Sequence, residues 1–216
     1  MLKVGLTGGI ASGKSAVGEM FVALGAHLVQ ADRIAHQLMQ PGQLVYNEVV
    51  RHFGREILNQ DGSVNRAKLA EAAFGTGPKP AEGKPSRIEE LNRIVHPAVI
   101  RSQEGWMEEM GRQDPHAVAI VEAALILEAH TADRFDRLIV VTCSDEQKIA
   151  RFAARQKIDL EAAGKEVSRR MSAQLPDEEK IKAANHVIDN SGSLNHTRDQ
   201  VSEVWQKLRA EATTQR

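Results

Sequence analysis

Residues 8–15 read Gly8-Gly-Ile-Ala-Ser-Gly-Lys-Ser15, directly after the apolar run Val4-Gly-Leu-Thr7 and before an amphipathic stretch that ends near Leu24. The pattern is G-x-x-x-x-G-K-[S/T] in a strand–loop–helix setting, which is the setting that a phosphate-binding loop requires. Successive backbone N–H groups in such a loop form a nest for anionic oxygens. The N-terminus of the following helix adds about half a positive charge. Lys14 can reach terminal phosphates, and the Ser15 hydroxyl can hold Mg²⁺. The plainer alternative is a tight turn built by Gly8, Gly9 and Gly13. That alternative leaves a cation at a helix N-terminus, where it is disfavoured, and a bound phosphate removes the conflict.

The chain has 216 residues, enough for one α/β domain with an inserted subdomain, and 42% of them are hydrophobic, which supports a sizeable core. With 28 Lys+Arg against 29 Asp+Glu the net charge is −1, so no global field for nucleic acid is implied. Aromatic residues are also too few for a nucleic-acid platform. Cys143 is the single cysteine, so no internal disulfide forms, and its place after a strand-like run reads as a buried inert thiol. No run approaches a membrane span. The loop begins too near Met1 for a signal peptide, so the reading is a soluble, cytoplasmic protein. No feature specifies an oligomeric state.

Strand-like runs fall at 2–7, 27–30, 117–121, 138–141 and 186–189, separated by helical stretches. That alternation predicts a parallel five-stranded sheet covered on both faces. Helices are expected at 14–24, from Arg33 to Met39, over much of 46–110, at 145–157, within 158–176, and at 200–210. Pro97 is expected to start a helix. Residues 75–86 are a loop by composition. Two stretches interrupt the alternation, 33–110 and 145–180. Ligands of such sheets bind at the carboxyl ends of the strands, so these insertions suit an acceptor lobe and a lid.

Asp32 follows the second strand by two residues. It can accept or orient an acceptor hydroxyl proton, or cap the helix beginning at Arg33; spacing alone favours the cap. Glu122 ends the third strand, where Mg²⁺ or its water is commonly held, or is an ordinary strand-end acid. Glu128 has no assigned chemistry. Lys148, Arg151 and Arg155 share one helix face. From 148 to 170 seven basic residues oppose three acids, which suits a triphosphate clamp or a solvated basic face. The eight histidines show no compact metal spacing.

Six segments in order resemble the dephospho-CoA kinase family. They are Gly5-Leu-Thr-Gly-Gly-Ile-Ala-Ser-Gly-Lys-Ser15; Ala31-Asp-Arg-Ile-Ala-His-Gln-Leu38 with Pro41-Gly42; Phe53-Gly54 with Asp61-Gly-Ser-Val-Asn-Arg-Ala-Lys-Leu69 and Phe74; Leu91-Asn-Arg-Ile-Val-His-Pro97; Gln147, Arg151 and Arg155 with Arg170-Met-Ser-Ala-Gln174; and Val187-Ile-Asp-Asn-Ser-Gly-Ser193. The phosphate loop is generic, but the combination with Ala-Asp-x-Ile-Ala-His, Leu-Asn-x-Ile-x-His-Pro and Ile-Asp-Asn-Ser-Gly-Ser is specific.

The resemblance implies a P-loop NTPase fold of the nucleoside-monophosphate-kinase type. Its nucleotide core would comprise 1–32, 111–144 and 181–216, its helical acceptor lobe 33–110 and its lid 145–180. It implies phosphorylation of the ribose 3′-hydroxyl of dephospho-CoA by ATP, with Mg²⁺ at Ser15 and Glu122. Gly8, Gly9, Ala11, Ser12, Gly13, Lys14, Ser15 and Ala16 would bind the ATP phosphates. Arg155 would join them from the lid, and Asn190 and Gly192 would lie near the adenine. Asp32, Lys14 and Arg151 take catalytic roles, which moves Asp32 from cap to catalysis. Thr7, Asp32, His96 and Arg101 would serve the acceptor.

The sequence also departs from the family. Ala11 stands where glycine is usual, which is acceptable only with a negative φ. Gln30 replaces a common acid. Glu122-Ala-Ala-Leu-Ile-Leu-Glu128 replaces an Asp-x-Pro-Leu-Leu-Phe-Glu type of segment, and 75–86 reads as an insertion. The competing readings are a P-loop kinase for a nucleoside, sugar or shikimate-like acceptor, and a nucleotide-dependent switch with little catalysis.

Overall fold

The computed structural model describes residues 1–74 and 87–214, so the predicted 75–86 loop lies outside the described residues. Five strands form one sheet: β1 (Leu2–Gly8), β2 (His27–Gln30), β3 (Val118–Glu122), β4 (Arg137–Thr142) and β5 (His186–Asp189). Their order is β2-β3-β1-β4-β5, and every pairing is parallel. The predicted five-stranded parallel sheet is therefore present. β1 lies at its centre, so the loop that leaves β1 emerges at the middle of the carboxyl edge.

Helices α1 (Lys14–Ala23), α2 (Ala31–Leu38), α3 (Leu44–Phe53), α4 (Arg66–Phe74), α5 (Arg87–Gln113), α6 (Asp145–Gln156), α7 (Leu160–Met171), α8 (Asp177–Ala183) and α9 (Leu194–Thr214) complete the described elements, with short 3₁₀ turns at Arg55–Ile57 and Ala132–Arg134. The chain divides into two compact units, one of Met1–Gln30 with Met107–Arg216 and one of Ala31–Trp106.

In the first unit, strand periodicity sorts the core. Leu2, Val4, Leu6, Ile139 and Val141 face Val17 and Phe21 of α1 and Val201, Val204 and Leu208 of α9. Leu138 and Val140, one residue out of phase, pack with Ile126, Phe135 and Ala184 on the other face. A smaller cluster joins Ile10 of the loop to Phe152, Ala153, Ala163 and Val167 of α6 and α7. The α6 N-terminus is capped by Ser144, which accepts from Gln147 N, and that of α7 by Asp159, which accepts from Ala162 N. The span 145–180 thus comprises α6, α7 and the start of α8. Among the described residues no helix is long and apolar enough to cross a membrane.

In the second unit, Ile34, Val45, Val49, Phe53, Ile57, Leu69, Val95, Ala98 and Val99 are buried. Arg87 stacks 4.4 Å from the Phe53 ring centroid and donates to the His52 carbonyl. Tyr46 donates its hydroxyl proton to the Gly62 carbonyl at 2.6 Å, which fixes the turn at Asp61-Gly-Ser63.

Of the boundaries that differ from the sequence-based expectation, three have a direct physical reason. Helix α2 begins at Ala31, so Asp32 lies in its first turn and does not cap it. Pro97 lies inside α5 instead of starting it. The buried Val95, Ala98 and Val99 carry the helix across a residue that removes one backbone bond. Helix α9 runs from 194 to 214, longer than 200–210 at both ends. Burial of Thr197 and Ala212 adds a turn of contact at each end.

Glu128, without assigned chemistry in the sequence, has a structural place. Its carboxylate meets the fully buried Lys180 of α8 at 3.0 Å and accepts from Leu175 N at 3.1 Å. Breaking a buried pair by removing one partner strands the other charge. Lys180→Met is therefore expected to lower the unfolding free energy by about 3–5 kcal/mol. Urea denaturation measures it, and a loss below about 1 kcal/mol, the scale of an exposed pair, would show that Glu128 recovers its solvation elsewhere.

Candidate active site

The phosphate loop is built by close backbone approach. Gly8 pairs in register with Val141, and a Cβ on Gly8 would sit 2.2 Å from the Val141 carbonyl oxygen. Gly13 caps α1 in the left-handed conformation, φ 94°, and a Cβ there would sit 2.1 Å from Asn190 Nδ2. Neither position admits a side chain. Lys14 begins α1 and turns its ammonium back across the loop, donating to the carbonyls of Gly8 and Gly9, both at 2.9 Å. These two acceptors answer the unfavourable placement of a cation at a helix N-terminus.

Ala11 corrects one expectation: its φ is +53°, not negative. The left-handed region costs an L-residue about 1–2 kcal/mol. The loop imposes this conformation, and the Ala11 methyl packs against the Ile10–Phe152 cluster, which offsets part of the cost. Ala11→Gly should raise stability by up to about 1 kcal/mol, after the entropy that glycine adds to the unfolded chain. Thermal unfolding measures the change; a fall would mean that methyl packing outweighs the strain.

At the ends of β2 and β3, three side chains converge. Ser15 donates to Glu122 Oε1 at 2.6 Å, and Gln30 donates to Glu122 Oε2 at 2.7 Å. Glu122 is only 8% exposed, and each of its carboxylate oxygens accepts from one of these donors. Hydroxyl and carboxylate oxygens are the hard donors that Mg²⁺ takes, and few protein ligands suffice where substrate phosphates supply the rest. The residues present fit that ion. Among the described residues no cluster of three or more His, Cys, Asp or Glu side chains could hold a metal alone. Thr7 is fully buried and donates to the Ala124 carbonyl at 3.2 Å, so it supports the segment after β3.

The basic stretch divides into two kinds of residue. Lys148 is 2% exposed and binds Asp145 at 2.8 Å and Asp177 at 2.7 Å. It does not belong to an open clamp with Arg151, because two carboxylates already neutralise it and tie α6 to α8. Lys165 pairs with Glu161, and Arg169 and Arg170 pair with Glu166. Hydrogen bonds from Arg169 and then Arg170 push the Glu166 carboxyl down to about 2. Arg151 instead donates to main-chain oxygens, of Ser12 at 3.3 Å and Asn190 at 2.9 Å. Arg155 is exposed, stacks on Phe152 at 5.5 Å, and has no carboxylate in ion-pair reach among the described residues. Much of the apparent local excess of charge is therefore internal pairing, and Arg151 is the arginine brought to the loop.

Asn190 is buried beneath that loop. Its Nδ2 donates to the Ser12 carbonyl at 2.9 Å, its Oδ1 accepts from Thr197 Oγ1 at 2.9 Å, and its backbone N–H bonds the Thr142 carbonyl. Gly192 is exposed two residues on. Ser12 is buried, and Ala16 is exposed on the first turn of α1. Cys143 is buried, and burial pushes its thiol pKa up, which suits an inert thiol. The support given by Asn190, and by Gln30 to Glu122, was not read from the sequence; the signal available was that both residues end or follow a strand at the sheet's carboxyl edge. In the second unit, Asp32 is exposed on α2, and His96 and Arg101 are exposed on α5.

With this geometry in view, similarity to known proteins has a structural basis. The family model for dephospho-CoA kinase matches residues 2–196. A dephospho-CoA kinase of Syntrophotalea carbinolica is 38% identical over 208 residues, covering 96% of this chain and 92% of that protein. One from Carboxydothermus hydrogenoformans is 37% identical over 204 residues, covering 94% and 93%. The crystal structure of TT1252 from Thermus thermophilus superposes with a TM-score of 0.74 at 29% identity, covering 95% and 96% of the two chains. A match that runs from β1 to the start of α9, and takes in the phosphate loop, Glu122, Arg151 and Asn190, places the chain in the dephospho-CoA kinase family.

Proposed function

We propose that the chain transfers the γ-phosphoryl group of ATP to the ribose 3′-hydroxyl of dephospho-CoA, giving ADP and coenzyme A. The observation that carries this reading is a phosphate loop in which Lys14 rests on the Gly8 and Gly9 carbonyls, Ser15 meets Glu122 and Arg151 holds the Ser12 carbonyl, in a chain of this family. The bond from the acceptor oxygen to the γ-phosphorus forms, the bond from that phosphorus to the β–γ bridging oxygen breaks, and the hydroxyl proton leaves. In such reactions positioning and electrostatics supply most of the catalysis.

Each residue has a physical task. The N–H groups from Gly8 to Ala16 receive phosphate oxygens. Lys14 exchanges two neutral carbonyls for charged oxygens, a stronger interaction. Arg151 uses two of its five N–H donors on Ser12 and Asn190 and stays charged, so it offers the rest to charge developing on the transferred group. Ser15 and Glu122 would hold Mg²⁺, which neutralises phosphate charge when bound. Asp32 orients the 3′-hydroxyl and accepts its proton late in the transfer, because a ribose hydroxyl is a weak acid. Arg155 adds charge from the lid, which spans 145–180 and excludes competing water. His96 and Arg101 serve the acceptor from 33–110. Asn190 fixes the loop, Gly192 leaves room beside it for the adenine, and Thr7 supports the segment after β3.

Lys14→Ala and Asp32→Asn test this division of labour. Each should lower kcat by about 100- to 1,000-fold, the usual cost of one well-placed charge donor or acceptor. Asp32→Asn should leave ATP KM nearly unchanged, whereas Lys14→Ala should raise it. Initial rates of ADP release in the presence of dephospho-CoA provide both constants. Near-normal turnover by Asp32→Asn would remove Asp32 from the chemistry.

A further inference from the structure

Gln30 and Glu122 are the last residues of β2 and β3 and are direct neighbours in register. Register partners on adjacent parallel strands project to the same face, and these two meet at 2.7 Å. An ionised carboxylate only accepts, so the amide turns its NH₂ to Glu122 and not its oxygen. The other carboxylate oxygen takes the single hydroxyl proton of Ser15 at 2.6 Å. That donation leaves both lone pairs of the Ser15 hydroxyl for a cation.

We infer that Gln30 is a positioning residue: its amide pins Oε2 of Glu122 and thereby keeps Oε1 on Ser15, so that serine and glutamate meet a divalent cation as one prearranged donor pair. The inference rests on the assignment of Ser15 and Glu122 to the metal in the function proposed above. Its physical content lies in charge as well as geometry. A lysine or arginine at this position would hold the carboxylate but oppose an incoming dication. An acid would set a second negative charge against Glu122 with no donor between them. A neutral donor does neither. Gln30 and Glu122, both departures from the family pattern that the sequence resembles, touch each other across adjacent strands.

The test uses Mn²⁺ as the probe, titrated into the full chain with a non-hydrolysable ATP analogue and followed by electron paramagnetic resonance. Gln30→Met keeps side-chain length and removes the donor. Gln30→Leu removes it with a different shape. Both should bind Mn²⁺ about tenfold more weakly, the scale of a hydrogen bond to a charged group. Affinity for the analogue without metal, and the unfolding temperature, should stay at the unsubstituted values. Unchanged Mn²⁺ affinity in both variants overturns the inference. So does a loss matched by equal loss of metal-free nucleotide affinity, which would mark Gln30 as merely structural. No acceptor takes part in this titration. If the unsubstituted chain failed to phosphorylate dephospho-CoA while the Mn²⁺ result held, the reaction would fall and the positioning role would stand.

Discussion

The Ser12 carbonyl is the point on which the phosphate loop depends. It accepts from Asn190 Nδ2 at the end of β5 and from Arg151 on α6. A loop rich in glycine has high conformational entropy and does not hold one concave shape by itself. Here a single buried oxygen ties it to two later segments of the chain. Asn190 is in turn fixed by Thr197 at the start of α9 and by the Thr142 carbonyl at the end of β4. The loop between the first strand and first helix thus takes its shape from residues about 140 to 180 positions away. Gly13 is required for the same reason, because any side chain there would occupy the place of the Asn190 amide.

The fold was largely legible because its signals are local. Apolar strands of period two, a loop with fixed glycine spacing, and amphipathic helices each announce themselves within a dozen residues. The parallel five-stranded sheet follows from their alternation. What the sequence hid were facts about partners. Lys148 looked like part of a basic face until Asp177, distant in sequence, was placed against it. Pro97 looked like a helix start because a local rule was outweighed by the buried Val95, Ala98 and Val99 around it. Ala11 was expected to keep a negative φ, since nothing local reveals that the loop forces the left-handed region. Asp32 was read both as cap and as base. The cap is removed by a helix that begins at Ala31, two residues before the expected Arg33.

The electrostatics of the first unit follow one pattern, in which most charge is spent locally and a little is kept for a ligand. Lys148, Lys180, Arg169 and Arg170 all have carboxylate partners. Arg151 is held by carbonyls instead, and Lys14 rests on carbonyls too. Main-chain oxygens orient a cation without neutralising it, so both side chains retain full charge beside the loop. Glu122 mirrors them: its two partners, the Ser15 hydroxyl and the Gln30 amide, are neutral donors. Two cations and one anion, each oriented by neutral groups, are what a nucleotide triphosphate with its metal requires.

The identity of the phosphorylated atom tests this account most directly. Dephospho-CoA incubated with the chain and Mg-ATP would be analysed by mass spectrometry and by ³¹P nuclear magnetic resonance. The account predicts one added phosphomonoester, on the ribose 3′-oxygen, formed in step with ADP. ATP consumed at the same rate with and without dephospho-CoA, with the acceptor recovered unchanged, would contradict it.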